Sequence, residues 1–531
     1  MSQREALTLW GREISQVHYE IRMEARSDHD LDLVYNSVGG FGLYQILLIF
    51  FHQWLSISSS ANIFVFFSVN RIKPTVTCHD ENFNSTDECT IRRNCSNYTV
   101  ERVFYTYVEH FHLYCDRDWI EPLIPSLTTA AGFMLLISTY ISDRVGRKPL
   151  LTVAFGASVL IGLVAAFSPN WMFLAWLLIM GSLCKTFHIP ALNSLFMEKV
   201  TKSYRSVMAC SGQWSIIYMI DALIAYLTAD WRYFLLVANL LSLPLVLLQF
   251  FFLAESPRWL IQKGKFERAA VAMKKIAKIN RALPEQPITA DKLAKYRTTE
   301  EGDKKHYTLL DLCKNKKITV FVILQLLHVP LHSIGIPVIL WNVSKLSGSP
   351  FLHLALYGAL RLWVPFFLVW LDWKAPRFGR RRTMLGVTTV VVSCFVCLTV
   401  LVALNAGGGW RILMTVLSQM GALLLVSIYT ITVDLYNTEL FPTVMRTVAS
   451  CPPDIAGLIA GILVPYFLYI GKHYWAAAPY IIVAGLGSFS FLMDCLLLPE
   501  TRGIPLVESV ADVNCSLELG KREHKNEQDQ V

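Results

Sequence analysis

Charge is scarce in this sequence: 17% of its 531 residues are Asp, Glu, Lys or Arg, where a soluble domain carries about a quarter. The shortage excludes an ordinary water-soluble chain of this size. No Gly-rich Lys-Ser/Thr phosphate loop is present, so nothing points to ATP hydrolysis. No nucleophile, base and metal cluster converges, so no enzyme, cofactor or metal site is expected. Cys394 and Cys397 have the spacing of a redox pair but lie in an apolar run without partners. The first 37 residues are polar and mixed in charge, without the apolar core of a cleavable signal. The formal charge of +8 comes from basic residues in short loops, with no basic face or reading module, which excludes nucleic acid as a partner.

What the chain has is apolar length. Its mean hydropathy is +0.42, and apolar stretches of about twenty residues recur, each long enough to cross a bilayer. Closed hydrogen bonding in lipid makes them helices. An all-α membrane protein with twelve transmembrane helices is predicted. The spans fall near Gly42–Val69, Pro122–Ser142, Pro149–Ser168, Trp171–Met197, Val207–Thr228 and Tyr233–Ala254, then Ile318–Trp341, Phe351–Asp372, Met384–Leu404, Arg411–Leu435, Thr447–Ile470 and Trp475–Leu498. Pro244, Pro330, Pro337, Pro365, Pro452 and Pro453 mark kinks or packed irregularities.

Orientation follows from the short loops. One side holds Arg144, Arg147, Lys148, Lys199, Lys202, Arg205, Lys374, Arg377, Arg380, Arg381 and Arg382, whereas the loops opposite hold at most one basic residue each, such as Arg232 or Lys472. The basic side is expected to be cytoplasmic, with both termini. The organisation is then a cytoplasmic N-terminus (1–41), a first six-helix bundle (42–254) with an extracellular loop (70–118), a cytoplasmic linker (255–317), a second six-helix bundle (318–498) and a cytoplasmic tail (499–531). The first span serves as an uncleaved anchor, and the plasma membrane is the expected location.

The extracellular loop carries three sequons, at Asn84, Asn94 and Asn97. It also holds Cys78, Cys89, Cys95 and Cys115, an even count that suggests two disulfides with three possible pairings. In the linker, Gly264 to Arg281 reads as an amphipathic helix with Phe266, Ala270, Met273 and Ile276 along its apolar stripe. Packing under the bundle is its expected role, ahead of headgroup contact by Lys274, Lys275 and Lys278.

The halves echo each other. Asp143-Arg-Val-Gly-Arg-Lys148 follows span two and Arg377-Phe-Gly-Arg-Arg381 follows span eight. Glu198 and Arg205 recur as Glu439 and Arg446, and Glu255-Ser-Pro-Arg258 as Glu500-Thr-Arg502. Gly146 to Gly379, Glu198 to Glu439 and Glu255 to Glu500 are 233, 241 and 245 residues apart. A near-constant offset signals a duplicated six-helix unit. That is the major facilitator architecture, with a site between pseudo-symmetric halves that opens to each side in turn. Asp143, Arg144, Gly146, Arg147, Glu198, Arg205, Glu255, Arg258, Gly379, Arg380, Glu439, Arg446 and Glu500 are expected to gate it, their acid–base pairs holding the halves together on the cytoplasmic face.

From about Leu31 to Val513 the sequence resembles the organic cation, organic anion and carnitine (zwitterion) transporters of the major facilitator superfamily. The resemblance rests on Val38-Gly-Gly-Phe-Gly-Leu-Tyr-Gln45, the cysteine-bearing loop, Asp143 to Lys148, Trp231-Arg232, Glu255-Ser-Pro-Arg-Trp-Leu260, Glu439-Leu-Phe-Pro-Thr-Val-Met-Arg446 and Leu498-Pro-Glu-Thr-Arg-Gly503. It implies transport of small organic ions through an aromatic-lined cavity, without ATP. The sequence departs from the family pattern at Thr139, Pro376, Ser333-Ile334-Gly335 and Trp363.

Ionisable groups inside spans are functional hypotheses by default. Lys185, Asp221, Arg361 and Asp454 stand out. The resemblance implies a charge-selecting position twelve residues after Arg446, here Leu458; Asp454 lies one turn earlier on the same face. Asp454 is a candidate carboxylate for a cationic substrate, or the cap of a helix restarting after Pro453. Arg361 is a candidate partner for an anion, or a side chain snorkelling at the outer end of its span. Lys185 and Asp221 are candidate substrate contacts, or a structural pair between spans four and five. Tyr357, Trp363 and Tyr429 complete the candidate site, with His328, His332 and Tyr466 as further polar and aromatic residues. Organic cations are favoured as substrates, ahead of zwitterions and anions. The rival reading is a membrane sensor or adaptor that kept the fold without transporting.

Overall fold

A computed structural model describes residues 31–72, 74–80, 88–201, 214–282, 287–294, 309–342, 346–367, 379–436 and 446–499, together with Tyr204, Met208, Trp370 and Phe441. Among these residues ten helices are long and apolar enough to cross a membrane. In chain order the spans are α1 (Leu43–Val69), α2 (Cys115–Met134 and Ile137–Val145, bent by 45°), α3 (Arg147–Ala165), α4 (Trp171–Met197), α5 (Ser215–Thr228) and α6 (Trp231–Phe252). They continue as α7 (Lys316–Leu340), α8 (Pro350–Phe367), α9 (Arg380–Ala403), α10 (Trp410–Val433), α11 (Arg446–His473) and α12 (Ala478–Leu497). Bent α2 is the eleventh span, and α5, with 14 residues, occupies the place of the twelfth.

Local chemistry sets the helix ends. Asn170 caps α4 by accepting from the Phe173 amide, and Asp230 caps α6 by accepting from the Arg232 amide. Pro257 occupies the first turn of the helix Pro257–Gln262, whose cap is Ser256. Gly146 joins α2 to α3 at φ +114°, a conformation L side chains avoid; a Cβ there would also lie 2.6 Å from Glu255 Oε2. Helix α11 runs unbroken through Pro452 and Pro453, so Asp454 does not cap a restarted helix.

Among the described residues the halves meet chiefly along α2 against α11 and α5 against α8. On the first, Ser126 Oγ donates to the Ile462 carbonyl at 2.8 Å, and Leu458 packs onto Gly132. On the second, Gly358 lets backbone approach backbone: a Cβ there would sit 2.5 Å from the Ser215 carbonyl oxygen. Tyr218 and Tyr357 pack beside it with ring centres 5.3 Å apart.

One face of the bundle carries a hairpin, Thr75–Cys78 paired with Tyr98–Glu101. Disulfides Cys78–Cys95 and Cys89–Cys115 settle the pairing the sequence left open. Asn94 and Asn97 are exposed there; Asn84 lies outside the described residues. The helix Tyr107–His110 docks on α6, where His110 lies 3.0 Å from Arg232 Nη2. Burial, and then the Arg232 charge, hold the His110 imidazole below its ordinary pKa.

On the opposite, basic face the linker helix Phe266–Asn280 buries Ala270, Met273 and Ile276, as its stripe predicts. Its last residue, Asn280, donates to the Val38 carbonyl at 3.0 Å and accepts from the Tyr44 amide at 2.7 Å. The linker helix is thereby stapled to the start of α1.

Candidate functional site

A cluster of polar and aromatic side chains lies on the α5–α8 seam between the halves. Arg361 begins about 16 Å along α8, roughly mid-span, and donates to Tyr357 Oη at 3.3 Å. Its guanidinium carbon lies 5.9 Å from the Tyr218 ring centre. His332 of α7 packs on Tyr429 of α10 with ring centres 4.6 Å apart. Arg361 therefore does not snorkel at the outer end of its span. Arg361 Nε and His332 Nε2 are buried without hydrogen-bond partners among the described residues.

The aromatic wall continues into the first half. Tyr218 packs against Phe64 of α1 at 5.4 Å and Trp214 at 6.4 Å. Lys185 of α4 places its ammonium 5.0 Å from the Trp214 ring centre, a favourable cation–π arrangement. No carboxylate lies within ion-pair distance of Lys185 or Arg361 among the described residues.

Asp221 does not pair with Lys185. It is fully buried on the α1 side of α5 near Ser60, and neither carboxylate oxygen has a well-formed hydrogen bond. The proposed structural pair fails because Lys185 turns to Trp214 instead. Asp454 is partly exposed on α11 and has no cation within ion-pair distance among the described residues. One turn on, Leu458 is committed to packing on Gly132.

Trp363 leaves the site. Two residues along a helix turn a side chain through about 200°, so Trp363 points away from Arg361. It is 68% exposed and lies on a stripe with Leu352, Leu356, Phe367 and Trp370, the pattern of a lipid-facing edge. His328 also parts from His332: its Nε2 is 3.0 Å from Asp494 Oδ2 of α12, with both side chains buried. Asp494 is legible in the sequence as an acid inside an apolar run, five residues before Pro499.

The motif residues of the first half form one network. Arg147 Nη2 lies 2.8 Å from Asp143 and 3.1 Å from Glu198. Glu255 accepts from the Lys148 amide at 3.1 Å, and Trp259 Nε1 donates to the Asp143 carbonyl at 3.0 Å. Arg258 donates to the Val200 carbonyl and stacks over Tyr35, and Arg144 stacks over Tyr140. These described pairs join the first half to the residues flanking it and do not reach the second, whereas the sequence reading has them bridge the halves. In the second half Gly379 precedes α9, and Arg380 opens it. Arg205, Glu439, Glu500 and the Arg446 side chain lie outside the described residues.

Lys199 also departs from expectation. It reads as a solvated loop cation, yet it is fully buried, donating to Tyr44 Oη at 2.8 Å and the Ala254 carbonyl at 2.7 Å. Burial lowers its pKa to about 7, against the pull of Glu255 and Glu198.

Residues 126–512 match the family model described as "Sugar (and other) transporter". The chain belongs to the sugar (and other) transporter family. Members of this family are transporters and not enzymes. Among curated relatives, "Organic cation/carnitine transporter 2" of Homo sapiens is 29% identical over 76% of this chain and 71% of its own length. "Organic cation transporter protein" of Drosophila melanogaster is 28% identical over 79% and 76%. Among solved structures, the partially occluded, inward-open xylose transporter XylE of E. coli covers 90% of this chain and 99% of its own. The TM-score is 0.59 at 17% identity, which establishes the major facilitator fold. The chain is a multi-pass membrane transporter.

Proposed function

We propose that the protein carries a small organic ion bearing a carboxylate, zwitterion or anion, by alternating access between its halves. The observation that carries this reading is Arg361: a mid-span cation held by Tyr357 and lying by the Tyr218 ring, with no acidic partner among the described residues. A charge kept in this setting without a counter-ion calls for one from the substrate. Lys185 on Trp214 adds a second cation. Asp454, on α11, supplies a separate carboxylate for the positive end of a zwitterion. That residue, with the tyrosine faces, also supports the cation reading favoured by the sequence.

The basic loops support a cytoplasmic placement for the motif face and both termini. The disulfides and exposed sequons support the outside for the other face, in a plasma membrane. The two inter-half seams support a division into bundles at 42–254 and 318–498, joined by the 255–317 linker.

The test is uptake of three labelled probes, a betaine, an aromatic carboxylate and a quaternary ammonium, in cells expressing wild type, Arg361→Gln and Asp454→Asn. The reading expects betaine or carboxylate uptake, with apparent affinity falling about tenfold or more in Arg361→Gln, the scale of a lost charged hydrogen bond. Uptake of the quaternary ammonium alone, unaffected by Arg361→Gln, would reject it.

A further inference from the structure

The disulfide face holds a second charged cluster, and it joins the halves. Asp118 and Glu121 lie at the start of α2, and Arg71 follows α1. Lys472 and His473 end α11. His473 Nε2 is 2.7 Å from Asp118 Oδ2. Lys472 Nζ is 3.4 Å from the same oxygen and 3.2 Å from Glu121 Oε2. Arg71 reaches Glu121 at 3.6 Å and lies over Trp341, at the end of α7, at 4.8 Å. Tyr469 packs its ring on His473 at 4.3 Å and donates to Asp118 at 3.4 Å. Below this layer come the Phe67–Trp341 contact and the Ser126–Ile462 hydrogen bond.

Every one of those ion pairs except Arg71–Glu121 crosses from the first half to the second. A site between the halves opens to this face only when α2 leaves α11 and α1 leaves α7, which breaks them together. We propose that Asp118, Glu121, Arg71, Lys472 and His473 form the outer gate: these contacts hold this face shut, and weakening them opens it. The inference rests on the alternating-access reading above.

Asp118, a residue only 8% exposed, is where the contacts converge: His473, Lys472 and Tyr469 of α11 all reach it across the boundary between the halves.

The test reads gate opening without a substrate. Ser126→Cys replaces a buried side chain beneath the gate, and a membrane-impermeant maleimide is applied to intact cells. The outer cysteines are already paired, and the parent protein gives the background. Asp118→Asn and Lys472→Gln are expected to speed labelling. The gain is expected to be about threefold in each, as for a partly exposed ion pair, and His473→Gln is expected to act in the same direction. Labelling that Asp118→Asn and Lys472→Gln leave unchanged would overturn the gate. Labelling that His473→Gln leaves unchanged would remove His473 from it. Thr129→Cys, one turn deeper against Gly461, serves if Ser126→Cys fails to reach the surface. Labelling that behaves as expected while no probe is taken up would count against the transport reading and leave the gate standing.

Discussion

Replacing Arg147 by Met should destabilise the first bundle by an amount the geometry sets. The arginine is 8% exposed and bridges Asp143, Glu198 and the Ser142 carbonyl. The Asp143 carboxylate is 67% exposed, so its share is screened to about 0.5 kcal/mol or less. Glu198 is 23% exposed and meets Arg147 through Oε1, while its Oε2 has no hydrogen-bond partner among the described residues. Stripping the cation from a fully buried pair costs about 3–5 kcal/mol; partial exposure reduces this to about 2 kcal/mol here. Unfolding of the detergent-solubilised protein would measure Arg147→Met, Glu198→Gln and the double variant as a cycle. The double variant should lose clearly less than the sum of the singles, because the orphaned carboxylate is gone. If Arg147→Met costs no more than Asp143→Asn, the network does not hold these helix ends and the reasoning fails.

Lys199 has its pKa lowered from 10.5 to about 7, so between those values the unfolded chain holds more protons than the folded one. Stability should therefore rise with pH from about 7 toward about 10, with a flat response below; thermal unfolding across pH should show the slope, and Lys199→Met should remove it. Gly358→Val would force a side chain against the Ser215 carbonyl, at an overpacking cost of about 1–3 kcal/mol. Uptake should fall about tenfold while surface biotinylation stays normal; unchanged uptake would mean the α5–α8 seam does not close during transport. Arg446→Ala should abolish uptake while sparing surface expression, and normal uptake would remove Arg446 from the gate.

The bundle was readable because lipid simplifies the pattern: an apolar run of bilayer length has one solution, and a duplicated motif at a near-constant spacing exposes the repeat. Span ends drifted where the pattern carries no signal. Helix α11 continues through Pro452 and Pro453, which read as an interruption, because neighbouring helices hold it together. The candidate site was legible in part. Arg361, Tyr357 and Tyr429 could be singled out as unusual residues in apolar runs, but Trp363, equally conspicuous, faces the other way. Only helix phase separates them, and phase needs a known neighbour. Lys185 and Asp221 had the signs of a pair without the proximity, since adjacency of helices does not fix which faces meet. The Asp118–His473 contact joins residues 355 apart, and no motif announces it.

Central to this account is that the two halves move a small organic ion across the membrane. The most direct measurement is uptake of a labelled betaine by purified protein in liposomes, with Arg361→Gln reconstituted in parallel. Saturable uptake that is sharply weakened in Arg361→Gln is the predicted result. Uptake no greater than in protein-free liposomes, with correctly folded protein and for carboxylate and ammonium probes as well, would contradict it and favour a sensor that kept the fold.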